Sequence, residues 1–202
     1  MSLRLAQDAD ADALLSTDPF ALLAGMLLDQ QFPMERAFAG PLLLARRMDP
    51  SGPPRLDPSA VSSADPEALT AWMTGPPAVH RYPGSMGARL QALAAHVLEH
   101  YDGDTTRIWR DPAADGGEPT GQLVRSRLEA LPGFGRQKAS IFLALLGKQL
   151  DVTPSGWRDA AGDYGTDGSF RSVADVRDPE SLAKVRETKK LAKAEKKAAA
   201  GR

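Results

Sequence analysis

The chain has 202 residues, which is enough for one compact domain or for two small lobes around a cleft. It contains no cysteine, so disulfides, thiolate zinc sites and cysteine-ligated iron–sulfur clusters are excluded. Its 25 basic and 26 acidic residues give a net charge of −1, which excludes a basic surface over the whole molecule. The N-terminal segment carries acids where a signal peptide needs a basic region, and no apolar run has the length of a membrane span. Both features indicate a cytoplasmic protein.

The first predicted helix lies in the segment TDPFALLAGMLLDQQ. Asp18 is a suitable N-cap, because its carboxylate can accept from the unpaired N–H groups of the first turn, and Pro19 suits the first helical position. Apolar residues then occupy most positions up to Leu28, which is typical of a helix buried on all sides. The segment ends in the polar sequence DQQ, residues 29–31. We expect Asp29 to be a surface or capping residue, with a position in a cleft as the alternative.

Further helices are predicted along the first two thirds of the chain. They cover residues 34–47, where Pro41 kinks or divides the helix, a short stretch after Pro66, residues 86–101 and residues 122–130. Segments rich in Pro, Gly, Asp and Ser separate them. No stretch alternates apolar and polar residues as a strand does, so the predicted fold class is all-α.

The sequence LPGFGRQKA, residues 131–139, joins the last of these helices to another apolar helix. Pro132, Gly133 and Gly135 allow the chain to fold back tightly, and the glycines leave room for an anion beside the main chain. The unpaired N–H groups at the start of the second helix would then bind a phosphate. The alternative is a simple connection that uses proline and glycine. The first turn of the second helix carries Arg136, Gln137 and Lys138.

The C-terminal quarter changes character twice. The segment 151–170 is predicted to be irregular, and either to lie over a site or to be poorly ordered. Tryptophans are more often core residues, but Trp157 would overhang a cleft if the segment lies over a site. From residue 178 a helix-forming run becomes rich in alanine and lysine. We therefore divide the chain into a domain of residues 1–183, with two helical lobes around a cleft, and a basic helix or tail of residues 184–202. That tail either adds salt-sensitive, sequence-independent affinity for DNA or is a solvated terminus. Its basic residues are Lys184, Arg186, Lys189, Lys190, Lys193, Lys196, Lys197 and Arg202.

These motifs resemble those of the helix-hairpin-helix DNA glycosylases, a superfamily of base-excision repair enzymes. LPGFGRQKA is similar to the family's LPGxGxxTA hairpin, whose backbone amides bind a DNA phosphate, often with an alkali-metal ion held by hairpin carbonyls. DPFALLAGMLLDQQ is similar to the family's apolar helix, and Gln31 falls where members place a glutamine that fills the gap left by an extruded base. The alternative for Gln31 is a polar helix end that faces solvent. RYPGSMGARLQALA resembles the family's turn before the helix that leads to the hairpin. The resemblance covers about residues 18–155 and points to a small bacterial branch without the iron–sulfur cluster.

One departure from the family concerns the lysine nucleophile. Members that form a Schiff base carry lysine at the position of Gln137, whereas Lys138 follows one residue later. One residue is a rotation of about 100° around a helix. Lys138 is therefore not expected to act as the nucleophile, and we expect no lyase activity.

A second departure concerns the catalytic aspartate. Its family position falls at Pro154 or Ser155, and neither residue has a carboxylate. The nearest acids are Asp151 and Asp159, which become the candidate catalytic residues. Without an acid at the usual position, catalysis itself stays open.

Two groups of side chains outside these motifs could also contact ligands. His80, Arg81 and Tyr82 lie in a turn and would either contact nucleic acid or form a loop packed by its own tyrosine. His96 and His100 have the i, i+4 spacing of a metal pair. We interpret them as part of an amphipathic surface helix, because no third ligand lies nearby, and no metal site is predicted.

The resemblance implies a protein that binds double-stranded DNA at the hairpin, in the cytoplasm and close to the nucleoid. The expected reaction is hydrolysis of a base–sugar bond by a monofunctional DNA N-glycosylase after base flipping. A relative that binds damaged or altered DNA without cutting it is the alternative, and a protein-interaction scaffold is a third. No cofactor is required, an alkali-metal ion at the hairpin is the one ion that the resemblance allows, and nothing implies an oligomer. The residues expected to contact DNA are Gln31, Gly133, Gly135, Arg136, Gln137 and Lys138.

Overall fold

The computed structural model describes residues 2–200, apart from the side chains of residues 196, 197, 199 and 200. All regular elements in these residues are helical, and the all-α prediction is confirmed. The nearest approach to a sheet is a single bridge between Thr120 and Ser155. In chain order, the helices are α1 Ala9–Thr17, α2 Pro19–Leu28, α3 Met34–Met48, α4 Pro58–Ser63, α5 Pro66–Thr74, α6 Pro83–Tyr101, α7 Arg107–Arg110, α8 Gly121–Glu129, α9 Arg136–Gln149, α10 Trp157–Ala161 and α11 Pro179–Ala200, with 3₁₀ turns at Gly162–Gly165 and Val173–Asp175.

Helix α2 is buried along almost its whole length. One carboxylate oxygen of Asp18 accepts from the N–H of Ala21 at 2.9 Å, and Pro19 occupies the first turn, as predicted. The other oxygen accepts from the N–H of Leu56 at 2.9 Å, so the same side chain also ties a distant loop to the start of α2. Every residue from Phe20 to Leu28 is buried. Helix α2 therefore contributes to the core with its whole circumference, and it approaches the surface only at its ends.

Helix α3 runs through Pro41 without dividing. The preceding residue, Gly40, packs so closely that a Cβ atom there would lie 2.8 Å from Leu28 and 3.0 Å from Val79. This close packing of α3 on α2 holds the helix together across the proline. Of the two predicted effects of Pro41, division of the helix is wrong, and a kink stays a prediction.

The segment predicted to be irregular after residue 150 contains the short helix α10. Trp157 begins this helix, and its side chain is buried against α9, where a Cβ on Gly147 would lie 2.6 Å from the indole ring. Trp157 therefore packs in the core. The expectation that it overhangs a cleft is wrong, because a glycine in the neighbouring helix leaves space for the ring.

The C-terminal helix α11 crosses the boundary that we placed between residues 183 and 184. Leu182 and Val185 on either side of that boundary are both buried, and Arg186 forms an ion pair with Glu35 of α3. The start of the basic segment is thus packed on the domain. Of its basic residues, Lys196, Lys197 and Arg202 lie outside the side chains that the structure describes.

Candidate functional site

The hairpin turn is anchored by its apolar residues. Helices α8 and α9 are joined by residues 130–135, and the side chains of Leu131 and Phe134 are buried beneath the turn. The N–H of Phe134 donates to the carbonyl of Leu131 at 3.0 Å, and Gly133 between them has φ = +80°. This left-handed conformation favours glycine, because it brings a Cβ atom close to the main chain.

The outer side of the turn presents main-chain donors. Gly133, Gly135 and Arg136 are exposed, and no side chain caps the start of α9. Across the described residues, none of the N–H groups of Gly133, Gly135 and the first three residues of α9 has a hydrogen-bond acceptor within the protein. Unpaired N–H groups at a helix N-terminus carry partial positive charge and suit an anion. The geometry can therefore bind an oxyanion such as a phosphate.

The turn lies against the C-terminal end of α2. A Cβ atom on Gly133 would lie 2.4 Å from the side chain of Leu27, so this glycine is required by packing as well as by its φ angle. The ammonium group of Lys138 donates to the carbonyls of Met26 at 2.6 Å and Leu27 at 2.7 Å. Lys138 therefore caps α2, where carbonyl groups have no partner within their own helix.

Lys138 and Gln137 have different surroundings, as the helical rotation between them predicts. Burial lowers the pKa of Lys138 to about 8, the negative charge of Asp29 opposes that shift, and the positive charge of Arg89 adds to it. The side-chain amide of Gln137 donates to the hydroxyl of Tyr164 at 2.8 Å. The lysine is thus held at the end of α2, while the glutamine faces the segment that follows α10.

Beside the hairpin is a cavity of about 750 Å³, which we call the hairpin cavity. It lies between the end of α2, the first two turns of α9, the segment 163–171 and helix α11. Such a volume is within the range of small-molecule and nucleotide pockets. The lining residues are Met26, Asp29, Gln137, Lys138, Ile141, Asp163, Tyr164, Arg171, Thr188, Lys189, Ala192 and Lys193.

Asp29 is a functional candidate that the sequence analysis placed at the surface or at a helix cap. It is the C-cap of α2, it is partly buried, and it lines the hairpin cavity, which was the alternative position for it. Burial raises its pKa, while Lys189 and Lys138 lower it. The signal in the sequence was an acid at the C-terminal end of an apolar helix, where the helix dipole disfavours negative charge.

Asp151 and Asp159 lie elsewhere. Both side chains are exposed, and neither residue lines the hairpin cavity. Asp151 follows the end of α9 with φ = +55°, and Asp159 lies within α10. The structure therefore does not bring either candidate acid to the hairpin.

Gln31 lines a separate depression of about 370 Å³, which shares no lining residue with the hairpin cavity. It is exposed and has φ = +52°. The preceding residue, Gln30, is held by protein contacts: its side-chain amide donates to Leu27 at 2.9 Å and its side-chain oxygen accepts from Arg89 at 3.1 Å. Gln31 is therefore an exposed residue that follows a residue held by protein contacts.

The turn before α6 is anchored by a buried histidine. The Nδ1 atom of His80 accepts from the N–H of Tyr82 at 3.1 Å, so its Nε2 atom carries the hydrogen and donates to the carbonyl of Gln30 at 3.0 Å. Burial lowers the pKa of His80, which favours this neutral form. The ring of Tyr82 is 47% exposed, and the guanidinium of Arg81 lies over it at 5.3 Å. His80 is thus a packed residue, whereas Tyr82 and Arg81 are available to a ligand.

His96 and His100 lie with their ring centroids 4.2 Å apart on α6. Within residues 2–200, no group of three or more acids or histidines has an arrangement that would hold a metal ion. Among the same residues, no single helix is both long and apolar enough to cross a membrane, and only α1 and α2 taken together across a 117° bend meet those criteria.

Comparison with known proteins gives no relative. No protein-family model matches the chain, no curated protein is significantly similar to it, and no solved structure is significantly similar in fold. Function is therefore argued from the site.

Proposed function

We propose that the protein binds duplex DNA and acts in base-excision repair, as a two-lobed helical protein of the helix-hairpin-helix glycosylase type. The observation that carries the proposal is the set of unpaired N–H groups of Gly133, Gly135 and the first turn of α9, which lie beside the exposed Arg136 and have no capping side chain. A DNA phosphate accepts several such hydrogen bonds at once, and the helix dipole and Arg136 add charge complementarity. The same proposal includes an alkali-metal ion, which the hairpin carbonyls would hold and which would add positive charge at the hairpin.

The positions of Gln31 and the hairpin cavity support the proposal. Both flank the C-terminal end of α2, and the hairpin turn packs on that same end through Gly133 and Leu27. A duplex held by a phosphate at the hairpin would thus lie close to an exposed glutamine and to a pocket of nucleotide size. Enzymes that act on a base inside a duplex need both a pocket and a side chain that replaces the extruded base.

The proposed reaction is hydrolysis of a base–sugar bond without strand cleavage. A lyase needs an unprotonated amine that can attack C1′ of the sugar. The amine of Lys138 is instead engaged by two carbonyls of α2, and the neighbouring Gln137 cannot form a Schiff base. We therefore expect a monofunctional glycosylase.

The second candidate is a DNA-binding protein that recognises damage or altered structure and cuts nothing. It is favoured by the exposed positions of Asp151 and Asp159 outside the hairpin cavity. Single-turnover assays with a panel of duplexes, each carrying one damaged or mismatched base, separate the two candidates. Release of any base supports the glycosylase, and binding of duplexes without release of any base supports the second candidate.

The DNA-binding proposal is tested by titrating a duplex with a central tetrahydrofuran site at several salt concentrations. Arg136→Gln should weaken binding and reduce the slope of log K against log salt by about 1, because one phosphate contact is lost. Arg55→Gln is the matched control. Arg55 is exposed beside Leu56, which is tied to the start of α2, whereas the hairpin contacts the end of this helix about 15 Å away. Equal effects of the two substitutions, or no binding at low salt, would contradict the proposal.

A further inference from the structure

Asp29 lies in an unfavourable position for a structural carboxylate. It caps the C-terminal end of α2, where the carbonyl dipoles already concentrate negative charge. It is also partly buried, and burial disfavours an ionised carboxylate unless hydrogen bonds or cations compensate for the lost water.

The Asp29 carboxylate has no such compensation from direct contacts. Within the described residues, it accepts no hydrogen bond and has no cation within 4.0 Å. Other acids nearby are paired: Asp163, which lines the same cavity, lies 3.1 Å from Arg171, and Glu35 is paired with Arg186. Asp29 is therefore the carboxylate of the hairpin cavity whose oxygens are available to a ligand.

Two positive charges lie near this carboxylate and oppose the effect of burial on its pKa, although that pKa remains raised. Lys138 and Lys189 both line the cavity with Asp29 and lower its pKa against the effect of burial. The ammonium of Lys138 already donates to the carbonyls of Met26 and Leu27. It thus offsets the dipole at the end of α2 without covering the oxygens of Asp29.

We infer that Asp29 is the catalytic carboxylate of the hairpin cavity and faces the anomeric carbon C1′ of a nucleotide bound there. The inference rests on the proposed function, because it supplies the acid that hydrolysis of a base–sugar bond requires. As that bond breaks, C1′ becomes an oxocarbenium-like cation, which a nearby carboxylate stabilises.

The chemical step balances with water as the only co-reactant. The C1′–N bond breaks, and its electron pair goes to the nitrogen of the departing base. The water oxygen forms the new bond to C1′ and passes a proton to the Asp29 carboxylate. The base takes a proton from solvent, and Asp29 later returns its own proton to solvent.

The test compares two duplexes that differ by one charge and requires no knowledge of the natural base. One carries a neutral tetrahydrofuran residue at its centre, and the other carries a pyrrolidine residue, whose protonated nitrogen mimics the cation at C1′. The full-length protein should bind the pyrrolidine duplex about tenfold more tightly or more, as expected for one additional charge pair. Asp29→Asn should remove this preference and leave the affinity for the tetrahydrofuran duplex within about twofold.

Asp163→Asn is the matched control, since it removes the same charge from the same cavity but from a carboxylate that is paired with Arg171. It should retain the preference. Thermal unfolding supplies a second readout. Asp29→Asn should be at least as stable as the unsubstituted protein, because it removes a partly buried charge from the negative end of a helix. A fall in stability would identify a structural role and overturn the inference.

The other possible results of the binding test distinguish failure of the Asp29 inference from failure of the proposed function. Affinity for the tetrahydrofuran duplex without a preference for pyrrolidine overturns the role of Asp29 and leaves the proposed function intact. Loss of the preference in Asp159→Asn but not in Asp29→Asn assigns the role to another acid and also overturns the inference. Absence of affinity for either duplex overturns the proposed function, and the inference with it.

Discussion

At the scale of single residues, Gly133 and Gly135 differ in what a methyl group would meet. Gly133 has φ = +80°, and a Cβ atom there would lie 2.4 Å from Leu27, whereas Gly135 has φ = −108° and no atom within 4 Å of a Cβ position. We predict that Gly133→Ala lowers the free energy of unfolding by about 2 kcal/mol or more, because it combines left-handed strain with a steric clash. Gly135→Ala should leave that free energy within about 0.5 kcal/mol.

Gly135→Ala also separates folding from DNA binding. Its methyl group would stand beside the unpaired N–H groups and obstruct a phosphate, so the affinity for duplex DNA should fall by about tenfold while stability is retained. Urea unfolding and fluorescence anisotropy with a labelled duplex measure the two quantities. Unchanged affinity in a folded Gly135→Ala protein would show that the turn does not contact DNA.

The lowered pKa of Lys138 predicts that the stability of the protein depends on pH. The folded-state pKa of about 8 lies below the usual value of 10.5, so the unfolded chain binds more protons between these two values. The free energy of unfolding should therefore rise as pH increases from about 8 to 10.5, through the contribution of this residue. Urea unfolding across that range measures the rise. Other groups also titrate in this range. The quantity to follow across it is therefore the difference in free energy of unfolding between the unsubstituted protein and Lys138→Met.

Lys138→Met should also destabilise the protein at pH 7. It leaves the carbonyls of Met26 and Leu27 without the ammonium that caps α2, at a cost of about 1–3 kcal/mol. As pH rises from 8 towards 10.5, the substituted protein should lack the increase in stability described above. A variant with the same pH profile as the unsubstituted protein would assign the titration to other groups.

At the scale of elements, a buried ion pair fixes the segment between α10 and α11. The ammonium of Lys148 at the end of α9 lies 2.6 Å from the carboxylate of Asp175, and both side chains are less than 10% exposed. Asp175 also accepts from the N–H groups of Arg171 and Ser172 at 2.8 and 3.1 Å. One side chain therefore joins the 3₁₀ turn, the preceding loop and α9, and it positions the loop that contributes Arg171 to the hairpin cavity.

Removing one partner of this ion pair should be costly. Asp175→Ala leaves the charge of Lys148 buried without a counter-ion and should lower the free energy of unfolding by about 3–5 kcal/mol. Asp167→Ala is the control, because it breaks a pair of similar length with Arg158 in which the aspartate is 76% exposed. Its cost should be at most about 1 kcal/mol. If urea unfolding shows that both variants lose the same free energy of unfolding, the burial of Asp175 does not strengthen its ion pair.

The elements that the sequence predicted correctly are those whose signals are local. The start of α2 is set by Asp18 and Pro19, which act on the next few N–H groups, and the hairpin is set by Pro132 and its glycines. Helix α10 was missed because Trp157 is ordered by a distant contact, the space above Gly147. Local periodicity contains no information about such a contact.

At the scale of the whole molecule, the hairpin turn could be predicted from the sequence, but the cavity beside it could not. The cavity combines Asp29, Lys138, Tyr164 and Lys189, which come from four parts of the chain. Asp29 is the predicted cap, but the sequence around it does not predict that the same residue lines a cavity. It shares the hairpin cavity with residues of α9 and α11, which are distant from it in sequence. Asp151 and Asp159 are the acids nearest along the chain to the family position, but distance along the chain does not determine which side chains share a cavity.

The distribution of charge predicts how strongly DNA binding depends on salt. The net charge is −1, so the attraction must come from a local cluster rather than from the molecule as a whole. Exposed cations gather around the hairpin: Arg136 lies in it, Arg89 is close enough to affect Lys138, and Lys189 and Lys193 line the cavity. If these four side chains each neutralise one phosphate, the slope of log K against log salt should be about −3.6.

Anisotropy titrations of the full-length protein between about 50 and 200 mM salt measure this slope. Replacing both Lys189 and Lys193 by glutamine should reduce its magnitude by about 1.8, since two counterion-releasing contacts disappear. Replacing Lys184 and Lys190 in the same way is the matched control. Lys184 is held by Glu180 at 2.7 Å, and neither residue lines the hairpin cavity, so the slope should change little. A slope near zero would contradict phosphate binding at the hairpin. Equal effects of the two double substitutions would instead indicate that the whole of α11 attracts DNA without regard to the cavity.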